Sequence, residues 1–164
     1  MATQISPTGR ILVGTDGSPA SLAALRWAGR EAKLRGMRVH VVYVRDMRRP
    51  PAAHYAPRPR QSEPAGPVTG ESTLRQVVRE AFGTDPDGVQ VELADGLPAR
   101  VLLERSVGAE MLVLGSTRPP GGEAAIRARA SLGPVARDCL HAAPCPVVVV
   151  RSSDARALAE PAHA

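Results

Sequence analysis

The residues with the clearest chemical potential lie between Met111 and Arg151. A short apolar run, Met111-Leu112-Val113-Leu114, breaks at Gly115-Ser116-Thr117, and a loop holding Pro119, Pro120, Gly121 and Gly122 follows. A helical segment from Pro134 to about His141 and the run from Val147 to Val150 close the stretch. Strand, glycine loop, helix and strand is the order of a phosphate-binding crossover. A helix N-terminus offers unpaired N–H groups and partial positive charge, and glycine lets backbone approach an anion. Neither G-x-G-x-x-G nor the G-K-[ST] of a P-loop occurs here, so the same residues read equally well as a plain strand-to-helix connection.

Other chemistry finds little support. Asp16, at the end of an apolar run, is placed to bind a ligand or a metal, but no second acidic residue stands at ligand spacing, and no metal site is expected. No nucleophile–base pair and no H-E-x-x-H pattern is present, so no catalytic residues are assigned and an enzyme is not expected. His40 sits alone within a strand-like run and reads as a packed or edge histidine. Cys139 and Cys145 form no C-x-x-C pair and read as buried free thiols. The net charge of +5 comes from arginine, with Lys33 the sole lysine. The arginines are scattered and aromatic residues make up only 2%, so the stacking platform of a single-strand binder is missing and nucleic acid is not the expected partner.

The elements that position these residues alternate along the chain. Residues 1–9 read as a flexible lead-in, residues 10–151 as one α/β domain, and residues 152–164 as a tail. Ile11, Leu12 and Val13 centre a first strand over residues 10–15, and residues 39–44 form a second. Short continuous apolar runs suit strands buried on both faces of a parallel sheet. Ser18 caps a helix with Pro19 at its first position, and that helix stops near Gly36. Residues 45–67 hold six prolines and several arginines and read as a long surface loop. A helix over residues 68–82 presents Leu74, Val77, Val78 and Phe82 on one side. Val89, Val91 and Leu93 alternate with polar residues as an edge strand. Gly96-Leu97-Pro98-Ala99 then turns into a helix that runs to about Val107. Strands alternating with helices imply a mostly parallel sheet covered on both faces, with ligands bound beyond the carboxyl ends of the strands. Asp16, Val44 and Gly115 all fall at such ends, and the expectation is that they gather at one rim. No apolar run reaches the length of a membrane span and no signal peptide is visible, which points to the cytoplasm.

In combination, several segments resemble the universal stress protein family: Ile11-Leu12-Val13-Gly14-Thr15-Asp16-Gly17-Ser18, Val41-Val42-Tyr43-Val44, Gly96-Leu97-Pro98-Ala99, Leu112-Val113-Leu114-Gly115-Ser116 and Ala143-Pro144-Cys145-Pro146-Val147-Val148-Val149-Val150-Arg151. The resemblance spans residues 10–151. It implies an open, Rossmann-like five-stranded parallel sheet in the order 3-2-1-4-5 with helices on both faces. It also implies a homodimer joined through the strand from Val147 to Val150. For one branch of the family it implies ATP or a related adenine nucleotide such as AMP, held through a G-x2-G-x9-G-[ST] motif, an aspartate like Asp16 and the backbone at a valine like Val44.

The site residues carried over are Thr15, Asp16, Val44, Gly115, Ser116, Arg118 and Gly133. Three departures fall on the phosphate half of the motif. Arg118 occupies the second glycine position, the span from Gly115 to Gly133 is about five residues longer than the pattern, and Pro134 replaces the final hydroxyl residue. Proline offers neither a hydroxyl nor an N–H, although it suits the first turn of a helix. The function expected from the resemblance is a dimeric, cytoplasmic stress-response regulator that binds adenine nucleotide weakly at most and acts on an unidentified regulatory protein. A nucleotide-independent interaction module is the alternative, and a nucleotide hydrolase the second alternative.

Overall fold

The structure, a computed structural model, describes residues 9–46, 70–84, 86–116 and 132–151. Among them the elements run β1 (Arg10–Thr15), α1 (Pro19–Arg35), β2 (Arg38–Arg45), α2 (Gly70–Phe82), β3 (Val89–Asp95), α3 (Pro98–Ser106), β4 (Met111–Ser116), α4 (Pro134–Ala142) and β5 (Val147–Arg151). The loop expected over residues 45–67 lies outside the described residues except for its first two, as do most of the lead-in and all of the tail.

The five strands form one parallel sheet in the order β3-β2-β1-β4-β5. Register fixes which strand ends meet. Thr15 pairs with Tyr43, Val44 with Ala94, and Gly115 with Val150. The central strands β1 and β4 are buried through their apolar runs, as continuous hydrophobicity demands of a doubly covered sheet. β4 reaches Ser116, two residues past the expected end of its apolar run, because β5 pairs with Gly115 and Ser116 and holds them in the ladder. β3 lies at an edge as its alternation requires, with Val91 and Leu93 left partly exposed.

Two cores flank the sheet. Ile11, Val13, Val41 and Val113 face α1 and α2, while Leu12, Val42, Leu112 and Leu114 face α3 and α4. α1 meets the sheet through Leu25 and through Ala20, Ala23, Ala24 and Ala28, small residues that let the helix ride close over β1 and β4. Its start and stop follow the sequence signals. Ser18 Oγ accepts from Ser21 N at 3.1 Å, and Gly36 closes the helix in the left-handed region at φ 65°. α2 packs across α1, where a Cβ on Gly29 would run into the Phe82 ring.

Candidate functional site

The strand order reverses between β1 and β4, and the crevice beyond their carboxyl ends is where doubly wound sheets take ligands. A cavity of about 480 Å³ occupies this position. Thr15 and Asp16 reach it from the end of β1, Val44 and Asp46 from β2, Gly115 and Ser116 from β4, and Gly133 and Pro134 from the start of α4. Six of the seven residues expected at the site therefore line one cavity. The seventh, Arg118, lies outside the described residues.

Each wall has a local cause. After β1 the chain turns on Asp16 and Gly17: Asp16 Oδ1 accepts from Ser18 N at 2.9 Å, and Gly17 takes φ 81°. A side chain at Gly17 would be strained in that conformation and would also meet Thr73 of α2. Asp16 itself is exposed, and its Oδ2 makes no hydrogen bond among the described residues, so this oxygen is available to an incoming donor. Thr15 behaves differently. Its hydroxyl is buried and donates to Ser21 Oγ at 3.0 Å, and Ser21 in turn donates to Ser18 O at 2.9 Å. That chain ties the strand end to the first turn of α1, so Thr15 shapes the cavity more than it addresses a ligand.

Gly115 sits against the same turn. A Cβ there would overlap the carbonyl of Ala20 and crowd Ser21 N, so only glycine lets β4 approach α1 so closely. Gly14 is constrained from the other face, where a Cβ would lie 2.8 Å from Leu114 and 2.9 Å from Leu102.

At the far wall Gly133 is the N-cap of α4 and Pro134 its first residue, with no side-chain cap. The first N–H groups of a helix have no partner within it, and proline removes one of them. Val135 and Ala136, which also line the cavity, carry the next. The N-terminal ends of α1, α3 and α4 all reach this space, through Ser18, Pro98 and Pro134, so three helix dipoles present their positive ends beside the carboxylates of Asp16 and Asp46. Nearby, burial and then the charge of Asp16 push the Tyr43 phenol up from its ordinary pKa. In the sequence Ser18 reads only as a cap, and Ser21, Asp46, Leu102, Val135 and Ala136 carry no motif, since they meet through the fold alone.

The remaining candidates fall elsewhere. His40 is buried beneath α3, beside Glu92 of β3. Of the two thiols, Cys139 is buried as expected, and its pKa is pushed up to about 11, first by burial and then by Asp138 and Cys145. Cys145 departs from the expectation and is only partly buried, because it leads into β5 at the edge of the sheet. Among the described residues no cluster of histidine, cysteine, aspartate and glutamate has the form of a metal site.

A doubly wound, Rossmann-like sheet with its cavity at the switch point defines the class: an open parallel α/β protein. A profile of the Universal stress protein family matches residues 7–151, and the chain belongs to that family. It is similar to universal stress proteins of Mycobacterium tuberculosis and Mycobacterium bovis, at 36% identity over 162 residues, covering 94% of this chain and 51% of each relative. The chain thus spans about half the length of the curated relatives it matches. Among solved structures it is similar to a universal stress protein in complex with cAMP, with a TM-score of 0.60 and 23% identity over 90% of this chain and 99% of the other. A second, from Archaeoglobus fulgidus in complex with dAMP, gives a TM-score of 0.56 and 23% identity over 87% of this chain and 98% of the other. At these identities the solved structures bear on the fold alone.

Proposed function

We propose that the protein is a dimeric, cytoplasmic stress-response regulator whose switch-point cavity holds an adenine nucleotide weakly, with ATP gaining little over AMP. The observation that carries this reading is the gathering of Asp16, Val44 and Gly115 around one cavity closed by the N-terminus of α4. The residues fit the adenosine half of such a ligand. The free Oδ2 of Asp16 suits a ribose hydroxyl, the backbone at the end of β2 suits the base edge, and the space behind Gly115 tolerates no side chain. That two structural relatives hold cAMP and dAMP supports the same class of ligand.

The phosphate half is weaker. Pro134 brings neither hydroxyl nor N–H to the helix start where the family motif places both. Val135 and Ala136 supply backbone donors for a first phosphate, but the terminal phosphates lose two. The edge position of β5 supports the homodimer, since an uncovered apolar edge strand invites pairing and a two-fold copy covers it. Among the described residues no helix is long and apolar enough to cross a membrane.

Calorimetric titration with ATP, ADP and AMP tests the reading. AMP should bind, with ATP within about tenfold of it. Submicromolar ATP with a clear preference over AMP would overturn the weak-phosphate reading. Failure of all three nucleotides would leave Asp16 as a turn residue, and the nucleotide-independent interaction module would then take its place.

A further inference from the structure

At the opposite end of the sheet from the cavity lies an ionisable cluster, built around one buried histidine, that the proposed function does not use. His40, third residue of β2, is 5% exposed. Its Nε2 lies 2.9 Å from Glu92 Oε2, yet neither ring nitrogen makes a hydrogen bond of usable direction. The 2.9 Å approach is a close contact out of line for N–H donation, and it becomes an ion pair only when His40 is protonated. Glu92 Oε1 is already engaged, accepting from Arg105 Nε of α3 at 2.9 Å. From β1, Arg10 Nη2 donates to the carbonyls of Arg105 and Val107 at 2.9 and 2.8 Å and so holds the end of α3. The charged groups facing His40 are therefore Glu92 from β3, Arg105 from α3 and Arg10 from β1.

Buried polar atoms left without partners are costly, and native proteins rarely keep them without a role. Here the cost depends on protonation. A neutral imidazole leaves the cluster with two guanidiniums and one carboxylate. A protonated one adds a third cation on a buried ring, with the single, partly exposed carboxylate shared between His40 and the exposed Arg105. We propose that the His40–Glu92–Arg105–Arg10 cluster is a proton-sensitive joint that seats the C-terminal end of α3 on the sheet when His40 is neutral and releases it when His40 takes up a proton.

Burial is the largest influence on His40 and lowers its pKa. Glu92 opposes this, and Arg10 and Arg105 add to it. The seated state is thus complete above the ordinary histidine pKa of about 6.5. It weakens as pH falls from there toward the lowered value, by at most tenfold in the open-to-seated ratio per pH unit. Pro98 and Leu102 of the same helix line the cavity, so the joint sits on an element that both ends of the sheet share. It would respond to protons whatever the cavity binds.

The test follows the histidine and the helix separately in the full chain. Carbon-detected NMR titration of the imidazole should place His40 below the unfolded histidine value. It should move further down in Glu92→Gln and upward in Arg105→Gln. Hydrogen exchange, corrected for its intrinsic pH dependence, should show α3 amides losing protection as pH falls below 6.5, by up to about fivefold at pH 5.5, while α1 keeps its own. In His40→Gln that loss should vanish. Where that variant does not fold, the opposite shifts in the Glu92 and Arg105 variants carry the test. A His40 titration at or above 6.5, unchanged α3 protection, or equal loss in α1 would each overturn the proposal.

Discussion

Gly115, near the end of β4, lies so close to Ala20 in the first turn of α1 that a Cβ on the glycine would overlap the alanine carbonyl. The contact joins the two strands of the switch point through a helix, because α1 follows β1 directly. Gly115→Ala must therefore push β4 and α1 apart rather than displace a flexible side chain. Overpacking of this kind costs about 1–3 kcal/mol. Urea denaturation should show the unfolding free energy falling by that amount, through a lower midpoint at unchanged slope, and a loss within about 0.5 kcal/mol would mean that the two elements have more freedom than their spacing implies.

Pro134 sets the second expectation. Restoring a hydroxyl and an N–H at the first position of α4 with Pro134→Ser should favour ATP selectively. One charge-assisted hydrogen bond is worth roughly 1.5–3 kcal/mol, or about ten- to a hundredfold in affinity. AMP affinity should move much less. Equal gains for both nucleotides, read by calorimetry, would show that α4 contacts the first phosphate only.

The valines of β5 govern assembly in the proposed dimer. Val147, Val148 and Val149 are only half-buried in the single chain, whereas Val150 is buried. Val149→Lys places a charge on the strand that would pair with its copy. Analytical ultracentrifugation at micromolar concentration should show wild type as a dimer and the variant as a monomer. A soluble wild-type monomer under the same conditions would remove the dimer from the function proposed above.

The two thiols should react in order. Cys145 is partly exposed, whereas Cys139 is buried with its pKa pushed up to about 11. Only the thiolate attacks a disulfide reagent, so at pH 8 Cys145 should label first and Cys139 only as fast as the protein opens. The same burial has a pH consequence. Between the ordinary thiol value of 9.0 and about 11, the unfolded chain gives up this proton while the folded chain keeps it, so stability falls as pH rises through that window. Cys139→Ala should flatten that slope. Simultaneous labelling of both thiols in native protein would show that α4 does not shield Cys139.

The sequence by itself determined the sheet and its helices. Runs such as Ile11-Leu12-Val13 and Leu112-Val113-Leu114 have the length and continuity of strands buried on both faces, and Ser18, Pro19 and Gly36 mark helix ends through backbone chemistry that acts within a few residues. The family resemblance added the strand order, and with it the rim at which Asp16, Val44 and Gly115 meet. Only the tertiary structure decided what each residue does there. Thr15 turned out to spend its hydroxyl on Ser21, and Asp16 to keep one oxygen free, because hydrogen-bond partners are chosen by geometry across a turn rather than by residue type. Gly115 proved necessary through contact with Ala20, a neighbour ninety-five positions away that no local pattern names. His40 shows the limit most plainly. Its setting depends on β1, β3 and α3 converging on one face of β2, and such a charge environment comes into being only when the chain has folded.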